Sequence, residues 1–342
     1  MPSFTPPQHK TDILPKITII TPSYNQGQYI EQTIQSILSQ NYPNLEYIII
    51  DGGSIDNSLK IIKKYESQIT YWVSEKDGGQ SDALNKGLAR ASGTIFNWIN
   101  SDDCLAPHAL WTVAQHFIEN PDIDLLCGFY QAFNEKGVVD KGRMDFYLSL
   151  EKTLLWGNMS QPSLFYRLEK VKILMVHPEI VGRGVNPSFH YCMDLDLYYR
   201  YATQFGLSHI KSIDSVLALF RLQANQKSST HPESFLLERT SLNVSLLKSI
   251  GYEADKALVR LCPFQYNYNW HIDKIEKNVL AAYILDWTLD RLYYKFSLSI
   301  ILKFYFKSLF LKPFGRRWRF YLLPFLIMKR LIIKPAFMKK YY

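Results

Sequence analysis

Cysteine, long apolar runs and low-complexity tracts are all scarce in this chain of 342 residues. The four cysteines stand far apart in the sequence, at Cys104, Cys127, Cys192 and Cys262. This spacing argues against a disulfide framework or a zinc site and favours small thiols in a reducing compartment. No uninterrupted apolar span reaches the roughly 18 residues that cross a bilayer. The N-terminus is polar and contains three early prolines, unlike a signal peptide. We therefore expect a cytoplasmic protein.

Acidic residues are absent from the C-terminal segment, Arg291 to Tyr342, which contains 13 Lys and Arg. The rest of the chain carries 26 basic and 31 acidic residues, so the formal charge of +8 is a property of this tail. Basic segments rich in Phe, Leu and Ile are typical of interfacial membrane anchors. We expect the tail to bind peripherally to an anionic membrane surface, on the inner face of the membrane. The alternative is packing on the catalytic domain or a partner subunit; nucleic-acid binding would expose too much apolar surface.

What the chain does contain is a regular alternation of strand-like and helix-like segments. Five short runs are rich in β-forming residues: Lys16–Thr21, Leu45–Asp51, Ile69–Ser74, Thr94–Asn100 and Ile123–Tyr130. Between them, apolar residues recur every three or four positions, as on one face of a helix. Repeated β-then-α units predict an α/β fold, with a mostly parallel sheet flanked by helices.

Polar side chains follow three of these strands at the points where the strands end. The first strand ends in the segment Thr21 to Asn25, the second in Asp51 to Ser54, and a later one in Asp102 and Asp103. Ligands bind at the carboxyl ends of the strands in such sheets. Adjacent carboxylates raise each other's pKa unless a cation neutralises them. A Mg²⁺ or Mn²⁺ ion that also binds phosphate oxygens fits this need; the alternative is that both acids cap the helix from Ala106.

Asp51 is open to two interpretations. It can form the turn at Gly52 and Gly53, as aspartates commonly do. However, Asp56 is the better cap for the following helix, which leaves Asp51 available to accept the imide N–H of a uracil base. Tyr24 could stack on such a ring.

Four ordered motifs resemble those of a family-2 inverting glycosyltransferase. They are ITIITPSYN at Ile17–Asn25, IIIDGGSIDN at Ile48–Asn57, DGGQSDALNKG at Asp77–Gly87 and NSDD at Asn100–Asp103. The resemblance covers about residues 15–230. It implies the Rossmann-like glycosyltransferase A fold, a nucleotide-diphosphate sugar donor that is UDP-linked, and a Mn²⁺ or Mg²⁺ cofactor.

The resemblance also assigns residues to the donor site. Asp103 is the implied metal ligand, and Asp102 lies near the ribose and the metal. The other implied nucleotide-sugar contacts are Thr21, Pro22, Ser23, Tyr24, Asn25, Asp51, Gly79, Asp82, Asn85 and Arg221. Gly78 and Gly79 would let the backbone approach the sugar closely; a plain turn before a helix is the alternative.

The resemblance implies that Asp194, in the motif Tyr191 to Leu197, is the catalytic base. Met193 stands where many relatives carry Glu, and Asp196 is the rival base because both acids lie near a helix start. Gln161 and Ser163 are the implied acceptor-side residues, although a proline-led turn into a strand explains them nearly as well.

Two departures from the family pattern lie later in the chain. Gln223 stands where relatives often place His, two residues after Arg221. Arg317 and Trp318 match part of the QxxRW signature of processive enzymes, but Phe314 occupies the Gln position. The interpretation is therefore a non-processive enzyme.

The motifs together predict transfer of a single sugar, with inversion, to the hydroxyl of a saccharide or lipid-linked saccharide in surface polysaccharide or glycolipid assembly. We expect an N-terminal extension (1–15), a catalytic domain (16–230) and a helical C-terminal region (231–342). Within the catalytic domain, residues 16–130 bind the donor and 131–230 the acceptor. Two alternatives are a nucleotidyltransferase, which would want a Gly-rich basic loop after the first strand, and a catalytically silent membrane scaffold, which the intact acids disfavour.

Overall fold

The computed structural model describes residues 14–143, 149–156, 160–175, 184–223, 226–272, 275–292 and 295–311. These residues form two compact units. The first contains the described residues up to 143 together with 160–175, 184–201 and 207–223. The second contains 149–156, 202–206 and the described residues from 226 onward.

The first unit is built on a sheet, which has nine strands within the described ranges. They are β1 (Ile17–Ser23), β2 (Leu45–Asp51), β3 (Tyr71–Ser74), β4 (Ile95–Trp98), β5 (Cys104–Leu105), β6 (Leu125–Asn134), β7 (Gly137–Arg143), β8 (Leu164–Arg167) and β9 (Ile210–Arg221). Their order is β3-β2-β1-β4-β8-β6-β9-β5, and β7 pairs with β6. Strands β1 to β4 are parallel, and β8 joins β4 and β6 in antiparallel pairs. The predicted α/β class is confirmed.

Twelve helices accompany these strands in the described part of the chain. They are α1 (Ile30–Leu38), α2 (Ser58–Lys64), α3 (Gln80–Arg90), α4 (Ala109–Glu119), α5 (Leu150–Trp156), α6 (Leu168–Met175), α7 (Met193–Phe205), α8 (Lys227–Thr230), α9 (Pro232–Ser249), α10 (Lys256–Val259), α11 (Lys277–Leu292) and α12 (Leu298–Leu311). Helices α5 and α8 to α12 belong to the second unit.

The central strands form because their sequences suit burial on both faces. Every residue of β1 is buried, and β2 is buried from its second residue onward, as expected for central parallel strands with helices on both sides. Ile30, Ile34 and Ile37 recur at helical spacing on α1 and are fully buried in the core that β1 and β2 share. Burying one such side chain contributes about 1.5–3 kcal/mol.

The chain order creates a switch point between β1 and β4. From β1 the chain adds β2 and β3 on one side, and then crosses back to β4 on the other side of β1. Because all four strands are parallel, their carboxyl ends lie at the same edge of the sheet. The crevice at a topological switch point is where open α/β sheets bind ligands. The fold therefore brings the predicted polar segments to a ligand-binding edge.

The second unit is helical, with α11 contacting α5, α9 and α12. No described helix is long and apolar enough to cross a membrane. The predicted N-terminal extension up to residue 13, and the basic tail from Lys312 onward, lie outside the described residues.

Candidate functional site

The loop after β4 holds the two adjacent acids in different surroundings. Asp103 is 1% exposed, and its carboxylate accepts hydrogen bonds from the Arg221 backbone N–H at 2.9 Å and from Asn100 Nδ2 at 3.4 Å. Asp102 is partly exposed, and its Oδ2 accepts a hydrogen bond from Gln223 Nε2 at 2.6 Å. Sequence reasoning had noted Gln223 only as a departure from a pattern; the structure joins it to the acid pair.

Burial, followed by the negative charge of Asp102, raises the pKa of Asp103 well above its ordinary value. A bound cation would stabilise the ionised pair, and carboxylate oxygens are the ligands that Mg²⁺ and Mn²⁺ prefer. The described residues contain no group of three or more His, Cys, Asp or Glu that could hold a metal. The pair therefore fits a metal ion that takes its remaining ligands from phosphate or water.

The alternative that these acids cap the next helix is not supported by the helix itself. Helix α4 begins at Ala109, and its N-cap residue, His108, makes no side-chain capping bond. The N–H of Asp103 instead bonds the Asn100 carbonyl within the loop, at 3.0 Å. The acid loop is thus a turn of its own between β4 and β5.

Arg221, at the end of β9, fastens this loop to its surroundings. Its guanidinium carbon lies 4.8 Å from the ring centroid of Tyr29 and 4.5 Å from that of Phe133. Its Nε donates to the Asp102 carbonyl at 2.8 Å, and one terminal nitrogen donates to Gln32 Oε1 at 2.5 Å. The structure therefore gives Arg221 a positioning role on the acid loop, in addition to the nucleotide-sugar contact that the resemblance implies.

Asp51 is fully buried and accepts four hydrogen bonds from its neighbours. Its donors are the N–H groups of Gly53 and Ser54, at 3.1 and 2.9 Å, and the hydroxyls of Ser54 and Ser74, both at 2.6 Å. This is the turn-forming role that the sequence left open. It fixes the loop that follows β2 at the ligand-binding edge.

Two side chains at the end of β1 are suited to contact a ligand. The hydroxyl of Ser23 is buried and has no hydrogen-bond partner. Tyr24, the next residue, is 61% exposed. A buried hydroxyl without a partner is unfavourable, and an exposed ring at a strand end can stack on a base.

The other predicted residues of this segment have structural contacts. Thr21 is fully buried, and its hydroxyl lies 3.2 Å from the Tyr47 hydroxyl. Pro22 is also buried. Asn25 has a positive φ of 51°, and its N–H donates to Ser54 Oγ at 2.7 Å. These residues shape the β1 loop from inside.

The glycine-rich turn before α3 is held by two acids. Asp77 Oδ1 accepts a hydrogen bond from the Gly79 N–H at 2.8 Å, and Asp82 Oδ2 accepts one from the Gly78 N–H at 3.1 Å. Gly79 has a φ of 105°, which favours glycine. A Cβ on Gly52 would lie 3.0 Å from the Asp77 carboxylate. Asp77 is therefore a residue of this edge that sequence reasoning did not select, although it begins the third motif.

Asn85 does not face open space. It is 7% exposed, and its amide exchanges two hydrogen bonds with the backbone of Val185: Nδ2 donates to the carbonyl at 2.7 Å, and Oδ1 accepts from the N–H at 2.8 Å. In the structure this side chain holds the segment before α7; the donor contact that the resemblance implies for Asn85 stays a prediction.

The two acids at the start of α7 are clearly different. Asp196 is fully buried and forms an ion pair with Arg200, with 2.8 Å between Oδ2 and the guanidinium nitrogen. Asp194 is partly exposed, and its Oδ1 accepts the N–H of Leu195 at 2.8 Å. Of the two rival bases, Asp194 is the one that retains contact with solvent.

The predicted acceptor-side residues are buried. Gln161 donates from Nε2 to the Trp98 carbonyl at 2.8 Å and to Asn97 Oδ1 at 3.1 Å. Ser163 is fully buried, and its hydroxyl donates to the Ser160 carbonyl at 2.9 Å. Both lie in a 3₁₀ turn that leads into β8, in agreement with the alternative explanation of a proline-led turn.

Comparisons with known proteins agree with this architecture. Residues 18–181 match the description of glycosyl transferase family 2. An uncharacterized glycosyltransferase of Rickettsia prowazekii is 29% identical over 225 residues, which cover 63% of this chain and 67% of that protein. One of Haemophilus influenzae is 24% identical over 319 residues, covering 85% of this chain and 96% of the relative. Glycosyltransferase GlyG of Streptococcus pneumoniae is 30% identical, but the match spans only 44% of its length.

Among solved structures, S. aureus TarS (residues 1–349) in complex with UDP-GlcNAc has a similar fold. The TM-score is 0.57 at 19% identity, and the match covers 92% of this chain and 88% of the TarS chain. This likeness supports the glycosyltransferase A fold. The motifs, the match of residues 18–181 to glycosyl transferase family 2, the similar glycosyltransferases and the fold together support a family-2 glycosyltransferase.

Proposed function

We propose that this protein transfers a single sugar from a UDP-linked donor to an acceptor hydroxyl, with inversion and with the help of Mn²⁺ or Mg²⁺. The observation that carries the proposal is the Asp102–Asp103 pair at the switch point, where burial and like charge raise the pKa of Asp103. Ser23 and Tyr24 lie at the end of β1, which pairs with β4, so they form the other side of the crevice at the switch point. The solved relative TarS binds UDP-GlcNAc.

The donor would occupy the edge formed by the first four strands. Tyr24 would stack on the base, and Ser23 would hydrogen-bond the nucleotide. Asp103 and Asp102 would hold the metal ion, with Asp102 also near the ribose. When bound, such an ion stabilises the negative charge of the leaving diphosphate as a Lewis acid. The turn at Gly79 leaves space for the sugar, since nothing lies within 4 Å of the position that a Cβ would take.

Asp194 would be the catalytic base. It accepts the proton of the acceptor hydroxyl while that oxygen forms a bond to the anomeric carbon and the bond from this carbon to the diphosphate oxygen breaks. Attack from the face opposite the leaving group inverts the configuration. Asp196 is unsuited to this task because it is buried and paired with Arg200, whereas Asp194 is partly exposed at the same helix start.

A comparison of three variants tests the proposal. Asp194→Asn should bind UDP like the wild type but lose at least about 100-fold in kcat, since a positioned base contributes roughly 10²–10⁴-fold. Asp103→Ala should lose the Mn²⁺-dependent part of UDP affinity, measured by calorimetry with and without the metal. Asp122→Asn changes an exposed acid outside the site and serves as the control.

The donor is identified first, by a thermal-shift screen of nucleotide sugars with Mn²⁺ and Mg²⁺. Full turnover in Asp194→Asn would exclude it as the base, and metal-independent UDP binding in the wild type would exclude the metal role. Release of pyrophosphate in place of UDP would favour the nucleotidyltransferase alternative.

The proposal extends to the acceptor and its location. A saccharide or lipid-linked saccharide in surface polysaccharide or glycolipid assembly would suit a non-processive enzyme bound to the cytoplasmic face of a membrane. In support, α12 exposes Leu298, Phe306 and Phe310 by 45%, 50% and 82%. The chain beyond α12 adds nine Lys and Arg and no acid.

A further inference from the structure

Helix α3 makes two contacts with the chain segment that leads into α7, here called the 184–189 segment. Ser81 and Asn85 are four residues apart and therefore lie on the same face of α3; both are buried. Ser81 Oγ donates to the Phe189 carbonyl at 2.9 Å, and Asn85 exchanges its two hydrogen bonds with Val185. Three backbone groups of the segment are thus satisfied by side chains of one helix.

A third contact comes from α7 itself. Arg200 is fully buried, and one terminal nitrogen donates to the Gly184 carbonyl at 2.7 Å while the guanidinium pairs with Asp196. The 184–189 segment is therefore held at its start by α7, and at Val185 and Phe189 by α3. The side chains of these last two residues are themselves fully buried, which anchors the segment against the unit's interior.

The segment is not part of a helix or strand, so its place depends on these side chains rather than on a regular hydrogen-bonded ladder. It ends five residues before Asp194. The N-terminus of α3 lies at the other part of the site, because α3 begins directly after Gly79. One helix thus carries the glycine turn at its N-terminus and the binding face for the segment that leads to Asp194.

We propose that Ser81 and Asn85 are positioning residues for sugar transfer, which set Asp194 relative to the glycine turn through the 184–189 segment. This inference rests on the proposed function, in which the turn accommodates the donor sugar and Asp194 is the base. Attack on the anomeric carbon requires reacting atoms aligned within a narrow range, and a displacement of about 1 Å can lower the rate about 100-fold. Neither residue touches the substrate in this role.

The test combines Asn85→Leu and Ser81→Ala with Asp194→Asn in the full-length chain. Each single variant should lower kcat for transfer at least about tenfold while changing the donor KM less than about threefold, because the donor site is retained. In the Asp194→Asn background, the same substitutions should reduce kcat less than about twofold. The carboxylate whose position they disturb is already absent from this variant. Ser81→Thr retains the hydroxyl and should restore kcat.

A matched control is Arg167→Leu. Arg167 also binds two backbone carbonyls, those of Ile123 and Pro121 at 3.1 and 2.7 Å, but it lies opposite Ile95 at the amino end of β4. This variant should lower the melting temperature without altering kcat. Equal fractional losses of kcat with and without Asp194 would overturn the proposal, because they would indicate a general structural role.

A second measurement does not depend on activity. Cys192 lies two residues before Asp194 and is 4% exposed. If α3 holds the segment, Asn85→Leu should raise the rate at which a thiol reagent labels Cys192 in the folded protein at least about tenfold relative to Arg167→Leu. An unchanged labelling rate would overturn the proposal. A wild-type protein that turns over no nucleotide sugar would instead refute the proposed function, and labelling would still report on the segment.

Discussion

At the scale of single residues, burial divides the acids of the first unit into two groups. Asp51, Asp103 and Asp196 are almost completely buried, and each accepts hydrogen bonds or pairs with a cation inside the protein. Asp102 and Asp194 are partly exposed. Asp102 and Asp194 are therefore the acids suited to contact a ribose or an acceptor, whereas Asp51 and Asp196 shape the loops that present them. Asp103 is buried directly beside Asp102, where a metal ion bound to the pair would neutralise its charge.

Glu46 provides a prediction on pH dependence that is independent of activity. Burial works to raise its pKa, but hydrogen bonds from Lys16, Ser92 and Thr18 outweigh burial and lower the pKa to about 2 from its ordinary 4.5. The stabilisation is therefore complete above about pH 4.5 and lost as the pH falls towards 2. Glu46→Gln should lower the free energy of unfolding by roughly 2–3 kcal/mol at pH 7, and the difference should shrink as the pH falls through this window.

Urea unfolding of both proteins between pH 7 and pH 2.5 measures this difference. Glu66→Gln is the control, because Glu66 is exposed and its loss should leave the unfolding curve within about 0.5 kcal/mol of the wild type. A stability difference for Glu46→Gln that stays constant over the whole pH range would contradict the assignment.

The roles of single residues were also the hardest feature to predict from the sequence. The motifs located Asp51, Asp102 and Asp103 at the strand ends, where the structure has them. The partner of Asn85, however, lies 100 positions away at Val185, and no local pattern connects the two. The structural role of Asn85 can be recognised only in the folded protein, where the backbone of Val185 lies against its amide.

At the scale of elements, the agreement is closer because periodicity is a local property. The predicted strand Leu45–Asp51 coincides with β2, and the helical spacing between the third and fourth predicted strands corresponds to α3. Strand β9 was missed. It runs from Ile210 to Arg221 beside β6, and its burial does not alternate regularly, so the period-2 signal that marks a half-buried strand is weak.

The packing of α3 on β1 gives an element-scale prediction. A Cβ on Gly87 would lie 2.7 Å from Ile20 Cγ2, so Gly87→Ala should push the helix from the sheet. Helix propensity favours alanine by about 1 kcal/mol, but overpacking costs about 1–3 kcal/mol. We expect a net destabilisation of about 1 kcal/mol in urea unfolding. In an Ile20→Ala background, the same change should become neutral or stabilising; an equal penalty in both backgrounds would exclude this contact as the cause.

At the scale of the whole molecule, charge is divided along the chain. The 290 residues before Arg291 carry a formal charge of −5, and the remainder carries +13. An acidic body next to a basic tail would orient the protein at an anionic surface through long-range attraction, which salt screens over about 8–10 Å. Helix α12 belongs to the described part of this tail. Its Phe306 and Phe310 are exposed beside Lys303 and Lys307 on one helical face.

The tail hypothesis predicts binding to vesicles that contain an anionic lipid such as phosphatidylglycerol. The full-length protein should float with these vesicles at low salt, and less so at 0.5 M NaCl. Phe306→Ser combined with Phe310→Ser should weaken binding at least about tenfold, because each ring would bury apolar surface worth about 1.5–3 kcal/mol when fully inserted. Ile118→Ser, which removes a 43%-exposed apolar residue of α4, should bind like the wild type.

Two outcomes would refute the membrane role of the C-terminal region. Equal flotation with neutral phosphatidylcholine vesicles would exclude attraction between the basic tail and anionic lipid as the driving force. Unchanged flotation of the double Phe variant would exclude the face of α12 that carries Phe306 and Phe310. If the wild type binds no vesicles and elutes as an oligomer that the double Phe variant dissociates, this face contacts a partner subunit, because exposed aromatic residues serve protein interfaces as well.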